Sequence, residues 1–165
     1  MSDNPPRIAR GTILPDFELF TQGSSKPVSL WDYKQKGNVV LAVLHAGCSS
    51  CTEYIAMLRQ SERLLGSCNA VTLVVLPAFL KEVPAAPASP QVLLLADPDN
   101  TMRGKLAIQA GDVALAIADQ WGEVYAAHVA ADASQLPGAQ AIHEWLTLIE
   151  IQCPECFPPE RLPSG

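Results

Sequence analysis

Val39-Val40-Leu41-Ala42-Val43-Leu44-His45-Ala46-Gly47-Cys48-Ser49-Ser50-Cys51-Thr52-Glu53 is the stretch from which the rest of the chain can be read. Its first six residues are apolar without alternation, the pattern of a strand buried on both faces. Immediately beyond, Cys51, Ile55, Leu58 and Leu65 recur at offsets of 4, 3 and 7, which places them on one stripe of a helix. Ser50-x-x-Glu53 reads as a capping box that starts this helix, and Gly66 as its stop. A buried strand therefore runs almost directly into a helix, and the turn between them carries two cysteines.

Working outward from that turn, Val71 to Leu76 and Val92 to Leu95 read as further buried strands. The three prolines between Lys81 and Pro90 allow at most a short helix there. Asp97-Pro98-Asp99-Asn100 is a turn able to cap a helix over 101–108. Val113 to Ala118 and Val124 to Val129 flank Asp119-Gln120-Trp121-Gly122 as a hairpin, and Ala139 to Ile149 forms a last helix with Ile142, Trp145, Leu146 and Ile149 on one face. Upstream, Phe17 to Phe20 and Val28 to Leu30 around Gly23-Ser24-Ser25 predict another hairpin. The expected order is hairpin, then β-α-β-α-β-α-β-β-α. This is an α/β domain over 12–150, preceded by a loose arm over 1–11 and followed by a Pro-rich tail over 151–165.

Length and composition agree with one domain. The chain has 165 residues, 48% hydrophobic and 17% charged, a globular balance with enough apolar residues for a core. A net charge of -6 without any Lys/Arg cluster argues against nucleic acid and against anionic membranes. The apolar runs are far shorter than the roughly 20 residues of a membrane helix. The N-terminus lacks the apolar core of a secretory signal, so the expected location is cytoplasmic.

The five cysteines fall as Cys48-x-x-Cys51, Cys68 alone, and Cys153-Pro154-Glu155-Cys156. In a reducing compartment such pairs are redox-active or metal-binding more often than structural. Disulfide exchange needs an exposed thiolate and a second thiol near enough to resolve the mixed disulfide. A pair spanning a helix start offers both. Cys48 lies near the positive helix end as the attacking thiol, and Cys51 on the buried stripe is the resolving one. Were Ser50 the N-cap, Cys48 would lie outside the helix and gain less, with Glu53 opposing its charge.

His45 reads either as a proton partner of Cys48 or as a partly exposed histidine ending a strand. Cys153 and Cys156 could relay electrons to the first pair. The lesser alternatives are that they join it in a four-thiolate zinc site with Cys48 and Cys51, or are a structural disulfide or spare thiols. Cys68 reads as a small buried hydrophobe. Trp31, Trp121 and Trp145 read as packing residues, Arg103 as a solvated helix arginine, and His128 and His143 as structural. Asp97, Asp99 and Asp119 read as turn and cap residues.

With these residues in hand, the chain resembles the redoxin branch of the thioredoxin superfamily. That branch includes alkyl hydroperoxide reductase/thiol-specific antioxidant proteins and membrane-tethered thiol-disulfide oxidoreductases. The likeness rests on Pro15-Asp16-Phe17-Glu18-Leu19 with Val28 to Tyr33, on Asn38 to Cys51, and on Leu95 to Asp99, and it spans roughly residues 11–150. It implies a thioredoxin fold with a central mixed sheet and an N-terminal β-hairpin extension, followed here by the Cys-Pro-Glu-Cys tail. The implied activity is thiol–disulfide oxidoreduction without a cofactor, on a protein or small-molecule thiol or disulfide. A non-catalytic module binding zinc, and a thiol peroxidase, are the alternatives.

Three departures qualify the resemblance. Val113 stands where the family has a cis-proline, and a trans bond is expected before it. Ala42 stands where thioredoxins keep a buried acid. His45 and Cys48 stand where peroxidatic members carry Thr or Ser before the reactive cysteine, and no arginine has the matching spacing, which argues against peroxidase activity.

Overall fold

A strand whose residues are all apolar can be satisfied only in the middle of a sheet, and the continuous run before the cysteine pair lies there. The computed structural model describes residues 8–21, 27–33, 36–45, 48–77 and 91–151. The strands are β1 (Glu18–Thr21), β2 (Pro27–Ser29), β3 (Asn38–Val43), β4 (Ala70–Leu76), β5 (Val92–Ala96), β6 (Val113–Ala118) and β7 (Val124–Ala130). The helices are α1 (Ser49–Gln60), α2 (Glu62–Gly66), α3 (Thr101–Leu106) and α4 (Ala139–Ile151). One seven-stranded sheet runs β2-β1-β5-β4-β3-β6-β7. Strands β3, β4 and β5 are parallel, while β1, β2, β6 and β7 join antiparallel. The mixed sheet and the N-terminal hairpin expected from the sequence are both present, with Leu19 opposite Val28. The short helix expected within 81–90, and the tail with Cys153 and Cys156, lie outside the described residues.

Strand alternation sorts the apolar residues into two layers. Val40, Ala42, Leu44, Val74, Leu76, Leu94, Leu115 and Ile117 face α1, α2 and α4, meeting Ile55, Leu58, Leu65, Ile142, Leu146 and Ile149. Val39, Leu41, Val43, Leu73, Val75, Leu95, Ala114 and Ala116 face the other way, against the hairpin residues Phe17, Leu19 and Val28 and against Met102 and Leu106 of α3. With both faces covered, β3 and β6 are buried along their whole length. Their unbroken apolar runs follow from that.

Where parallel strands begin, polar groups stitch the turns. The backbone N–H of Asn38 donates to Asn69 O at 2.7 Å. The Asn38 amide, buried, donates to Cys68 O at 2.9 Å and to Glu150 Oε1 at 2.8 Å. Asn69 takes a left-handed conformation, φ 55°, and a Cβ at Gly37 would lie 2.6 Å from its carbonyl oxygen. Only glycine fits that approach without moving backbone.

Several expectations need correcting. The apolar stripe of the first helix is real, but the helix breaks at Ser61, so Leu65 belongs to α2. Gly66 is the last residue of α2, and the left-handed turn comes at Asn69 instead. The end of the expected loose arm is held. Ile8 is buried, Gly11 donates to Val124 O at 2.8 Å, and the Arg10 guanidinium lies 5.7 Å from the Trp145 ring centre. Trp31 and Trp121, expected to pack, are 62% and 47% exposed, because Trp31 sits in a short 3-10 helix after β2 and Trp121 in the β6–β7 turn rather than on inward strand positions. Trp145 is partly buried against the helical layer, as expected. Asp97 and Asp119 do serve turns. Asp97 accepts from the N–H groups of Thr101 and Met102 at 2.8 Å each, and Asp119 Oδ1 accepts from those of Trp121 and Glu123.

Candidate active site

Cys48, not Ser50, is the N-cap of α1, with extended φ/ψ of -99° and 128°. Its carbonyl accepts the first helical bonds, from the N–H of Thr52 at 2.9 Å and from the Thr52 hydroxyl at 3.1 Å. The expected capping box does not form because the Ser50 hydroxyl turns away from the backbone. It donates to Asp132 Oδ1 at 2.7 Å, 82 residues along the chain. Cys48 therefore sits in the half-turn where unpaired N–H groups converge, and it is partly exposed there.

The two thiols are held in opposite states by their surroundings. Cys48 Sγ lies 3.0 Å from Ser50 Oγ. Its ionisation is pulled below the ordinary value by the Ser50 hydroxyl first and by the Cys51 N–H next, with burial opposing. Cys51 is 1% exposed in the core beneath α1. Burial pushes its thiol up to about 11, although the His45 N–H, 3.4 Å from Sγ, works the other way. A thiol at the rim with its ionisation pulled down stands one helical turn from a buried one with its ionisation pushed up.

The same Ser50 hydroxyl is also counted on by Asp132, whose carboxyl is held low by the Ser134 hydroxyl first and by Ser50 second. One hydroxyl has one proton, so Ser50 cannot lower both groups at once. The charge-assisted 2.7 Å bond to Asp132 is the better one while Cys48 is a neutral thiol. Asp132 is fixed by its own turn. Its Oδ2 accepts from the Ser134 N–H at 3.0 Å and from the Ser134 hydroxyl. Ala133 and Leu136 are buried with α1, and the Tyr54 hydroxyl donates to Pro137 O at 2.6 Å.

Arg103 is the largest departure from the sequence reading. It is 7% exposed rather than solvated. One terminal nitrogen donates to Gln109 O at 2.8 Å and Asp112 O at 2.6 Å. The other donates to Leu44 O at 3.3 Å and to His45 Nδ1 at 3.3 Å. Burial lowers the guanidinium, while the charges of Asp112, Cys51 and Asp97 favour it. All four terminal hydrogens are thus engaged with the protein, which leaves them none for orienting a peroxide.

The bond from Arg103 makes His45 Nδ1 an acceptor. Nε2 then carries the hydrogen and donates to Gly111 O at 3.2 Å. In this tautomer neither ring nitrogen has a lone pair free for a thiol proton. His45 touches the pair through its backbone N–H, and its side chain belongs to the brace around Arg103.

Other expected positions are where the sequence put them. Cys68 is buried, Ala42 is buried in the same layer as Cys51, and the bond before Val113 is trans. Among the described residues no group of three His, Cys, Asp or Glu could hold a metal. The four-thiolate alternative involves Cys153 and Cys156, outside those residues. Among the described residues no helix is long and apolar enough to cross a membrane. Two contributors, Asp132 and Arg103, gave little warning in sequence. Asp132-Ala133-Ser134 reads only as a local turn, and Arg103 meets loops that return to it from elsewhere.

No protein-family model and no curated protein sequence matches the chain. Solved structures do. A reduced 2-Cys peroxiredoxin from Plasmodium vivax is similar with a TM-score of 0.73 at 18% identity, over 90% of this chain and 84% of that one. The peroxidoxin BcpB from Mycobacterium tuberculosis gives 0.64 at 16%, over 88% and 98%. The thioredoxin domain of a thiol-disulfide oxidoreductase from Bacteroides vulgatus gives 0.64 at 17%, over 86% and 99%. At these identities the likeness establishes the thioredoxin-like fold. Peroxidases and exchange enzymes both appear among these neighbours, so the choice between them rests on the site.

Proposed function

We propose that the chain is a thiol–disulfide oxidoreductase in which Cys48 attacks and Cys51 resolves. The observation that carries this reading is the asymmetry of the pair. Cys48 is accessible at a helix N-terminus, where the Ser50 hydroxyl, once turned onto its sulfur, and the Cys51 N–H favour the thiolate, whereas Cys51 is buried with its ionisation disfavoured.

In the reductive direction the Cys48 thiolate attacks one sulfur of a substrate disulfide. The substrate S–S bond breaks, one substrate thiolate leaves and takes a proton from solvent, and a mixed disulfide remains on Cys48. Cys51 then loses its proton and attacks Cys48 Sγ. The second substrate thiolate leaves, and a Cys48–Cys51 disulfide holds the oxidation. Two electrons have passed to the substrate, and a dithiol reductant restores the pair. The substrate is a protein or small-molecule disulfide, or a dithiol in the reverse direction. In this reading Cys153 and Cys156 relay electrons to the first pair.

A redox titration with alkylation and mass mapping of each cysteine tests the reading. The expected result is paired, reversible oxidation of Cys48 and Cys51 at a potential between about -270 and -120 mV. Joint oxidation of Cys153 and Cys156 in the same samples would support the relay. Cysteines that stay unreactive until a chelator is added would overturn the catalytic reading.

A further inference from the structure

Ser50 stands between two acceptors with a single hydrogen to give. On one side Cys48 Sγ is at 3.0 Å, and on the other Asp132 Oδ1 is at 2.7 Å. Asp132 is not a passing surface carboxylate. Its turn is pinned to α1 by Ala133, Leu136 and the Tyr54–Pro137 hydrogen bond, so the Ser50–Asp132 distance is a property of the fold.

We propose that Asp132 controls the ionisation of Cys48 by holding the Ser50 hydroxyl proton, so that activating the attacking thiol amounts to exchanging one hydrogen bond. The inference rests on Cys48 being the attacking group, and it adds Ser50 as the residue that touches the reacting sulfur and Asp132 as a positioning residue behind it.

In the resting state the Cys48 S–H donates to Ser50 Oγ while the Ser50 O–H donates to Asp132. Both bonds favour the neutral thiol, because a thiolate would face the oxygen lone pairs. On ionisation the Cys48 proton leaves to solvent water. Ser50 rotates its hydrogen onto the thiolate, and no bond to sulfur other than S–H changes. Asp132 tolerates the loss because its other oxygen keeps the Ser134 N–H and hydroxyl. When Cys48 later leaves a disulfide, the steps run in reverse and the thiolate takes its proton from water.

The other ionisable groups around the pair are Cys51 and the exposed Glu53 on α1, His45 after β3, Arg103 on α3 and Asp112 before β6. None of these hydrogen-bonds the Ser50 hydroxyl, and all are retained in the variants compared below.

The test compares the wild type, Asp132→Asn, Ser50→Ala and the double variant. The readout is the rate of iodoacetamide alkylation at Cys48, mapped by mass, across roughly pH 5 to 10. Asparagine preserves an acceptor for the Ser134 cap. Asp132→Asn is expected to lower the midpoint by about half a unit or more, a roughly threefold faster reaction below the midpoint. The same substitution in the Ser50→Ala background is expected to move it by less than about 0.2 units. An unchanged midpoint in Asp132→Asn overturns the proposal. So does an equal shift with and without the hydroxyl, which would make the effect one of charge through space. Since the readout is the ionisation of one thiol, a shift without exchange activity would sink the function and keep the coupling. Exchange activity without a shift would do the reverse.

Discussion

Cys51 and Cys68 lie in one core layer, on the same face of one sheet, and both are buried. Cys51 follows the outgoing end of β3, and Cys68 precedes β4 at the opposite end. What separates them is the polar company at each end. Cys51 has the His45 N–H on its sulfur, the second thiol one turn away, and the charge of Arg103 behind it. Among the described residues, the Cys68 sulfur meets two hydroxyls at the edge of contact, Thr147 at 3.9 Å and Ser67 at 4.0 Å. Both spend their hydrogens on backbone carbonyls, of His143 and Leu64. Burial alone does not make a thiol inert or reactive; the ionisable groups and directed N–H donors around it do.

The comparison is broken most directly by exchanging the thiols for hydroxyls. Cys51→Ser, which leaves the mixed disulfide on Cys48 unresolved, is expected to reduce turnover of a small disulfide by about 10²-fold or more, and Cys68→Ser by less than about twofold. Equal losses in the two variants would mean that the polar surroundings do not matter. Next in size is the brace. Arg103→Met leaves the carbonyls of Leu44, Gln109 and Asp112 without their donor, and urea unfolding should register a loss of about 3 kcal/mol. The native alkylation rate of Cys68 should stay the same, which confines the damage to the Cys51 end.

Alkaline pH sharpens the contrast. The Cys51 thiol is raised from 9.0 to about 11, so between those values the unfolded chain has lost a proton that the folded one keeps. Stability should therefore be complete below pH 9 and fall as pH rises toward 11. Equilibrium unfolding at a series of pH values checks this, and Cys51→Ala should flatten the slope. The smallest effect belongs to Cys68→Ala itself, about 1 kcal/mol of stability with exchange unchanged, measured by the same denaturation.

The fold was readable because its main signals are local. Val39 to Leu44 and Val113 to Ala118 are buried on both faces, and a strand in that position has no room for polar residues to obscure the pattern. The cysteine turn was readable for the same reason, being a strand end followed by a helical stripe. What escaped was decided at a distance. Ser50 with Glu53 looks like a cap in one dimension, but the hydroxyl found a better acceptor in Asp132, brought beside it by the packing of the turn after β7 on α1. Arg103 has the spacing of an ordinary helix arginine. Only the return of the 109–112 loop and the end of β3 supplies the carbonyls that draw it inward. Trp31 and Trp121 misled for the opposite reason: their size suggests packing, and the short 3-10 helix and the turn that hold them carry them outside.

The two margins of the sheet decide how the molecule behaves in a crowd. An unpaired strand edge is an open invitation to another chain. Here β2 is three residues long and begins with Pro27, which has no N–H to offer. On the far side a register irregularity in the β6–β7 ladder falls at Ile117/Ala118. The outer side of β7 at Val124 is already occupied, since Gly11 donates to its carbonyl and its N–H donates to Thr12, beside the bridge between Ile13 and Glu123. The segment that leads into the domain thus covers the Val124 end of this edge against pairing with another sheet. Shortening it past residue 13 should lower the concentration at which the protein stays dispersed before it alters the chemistry at the far end of β3.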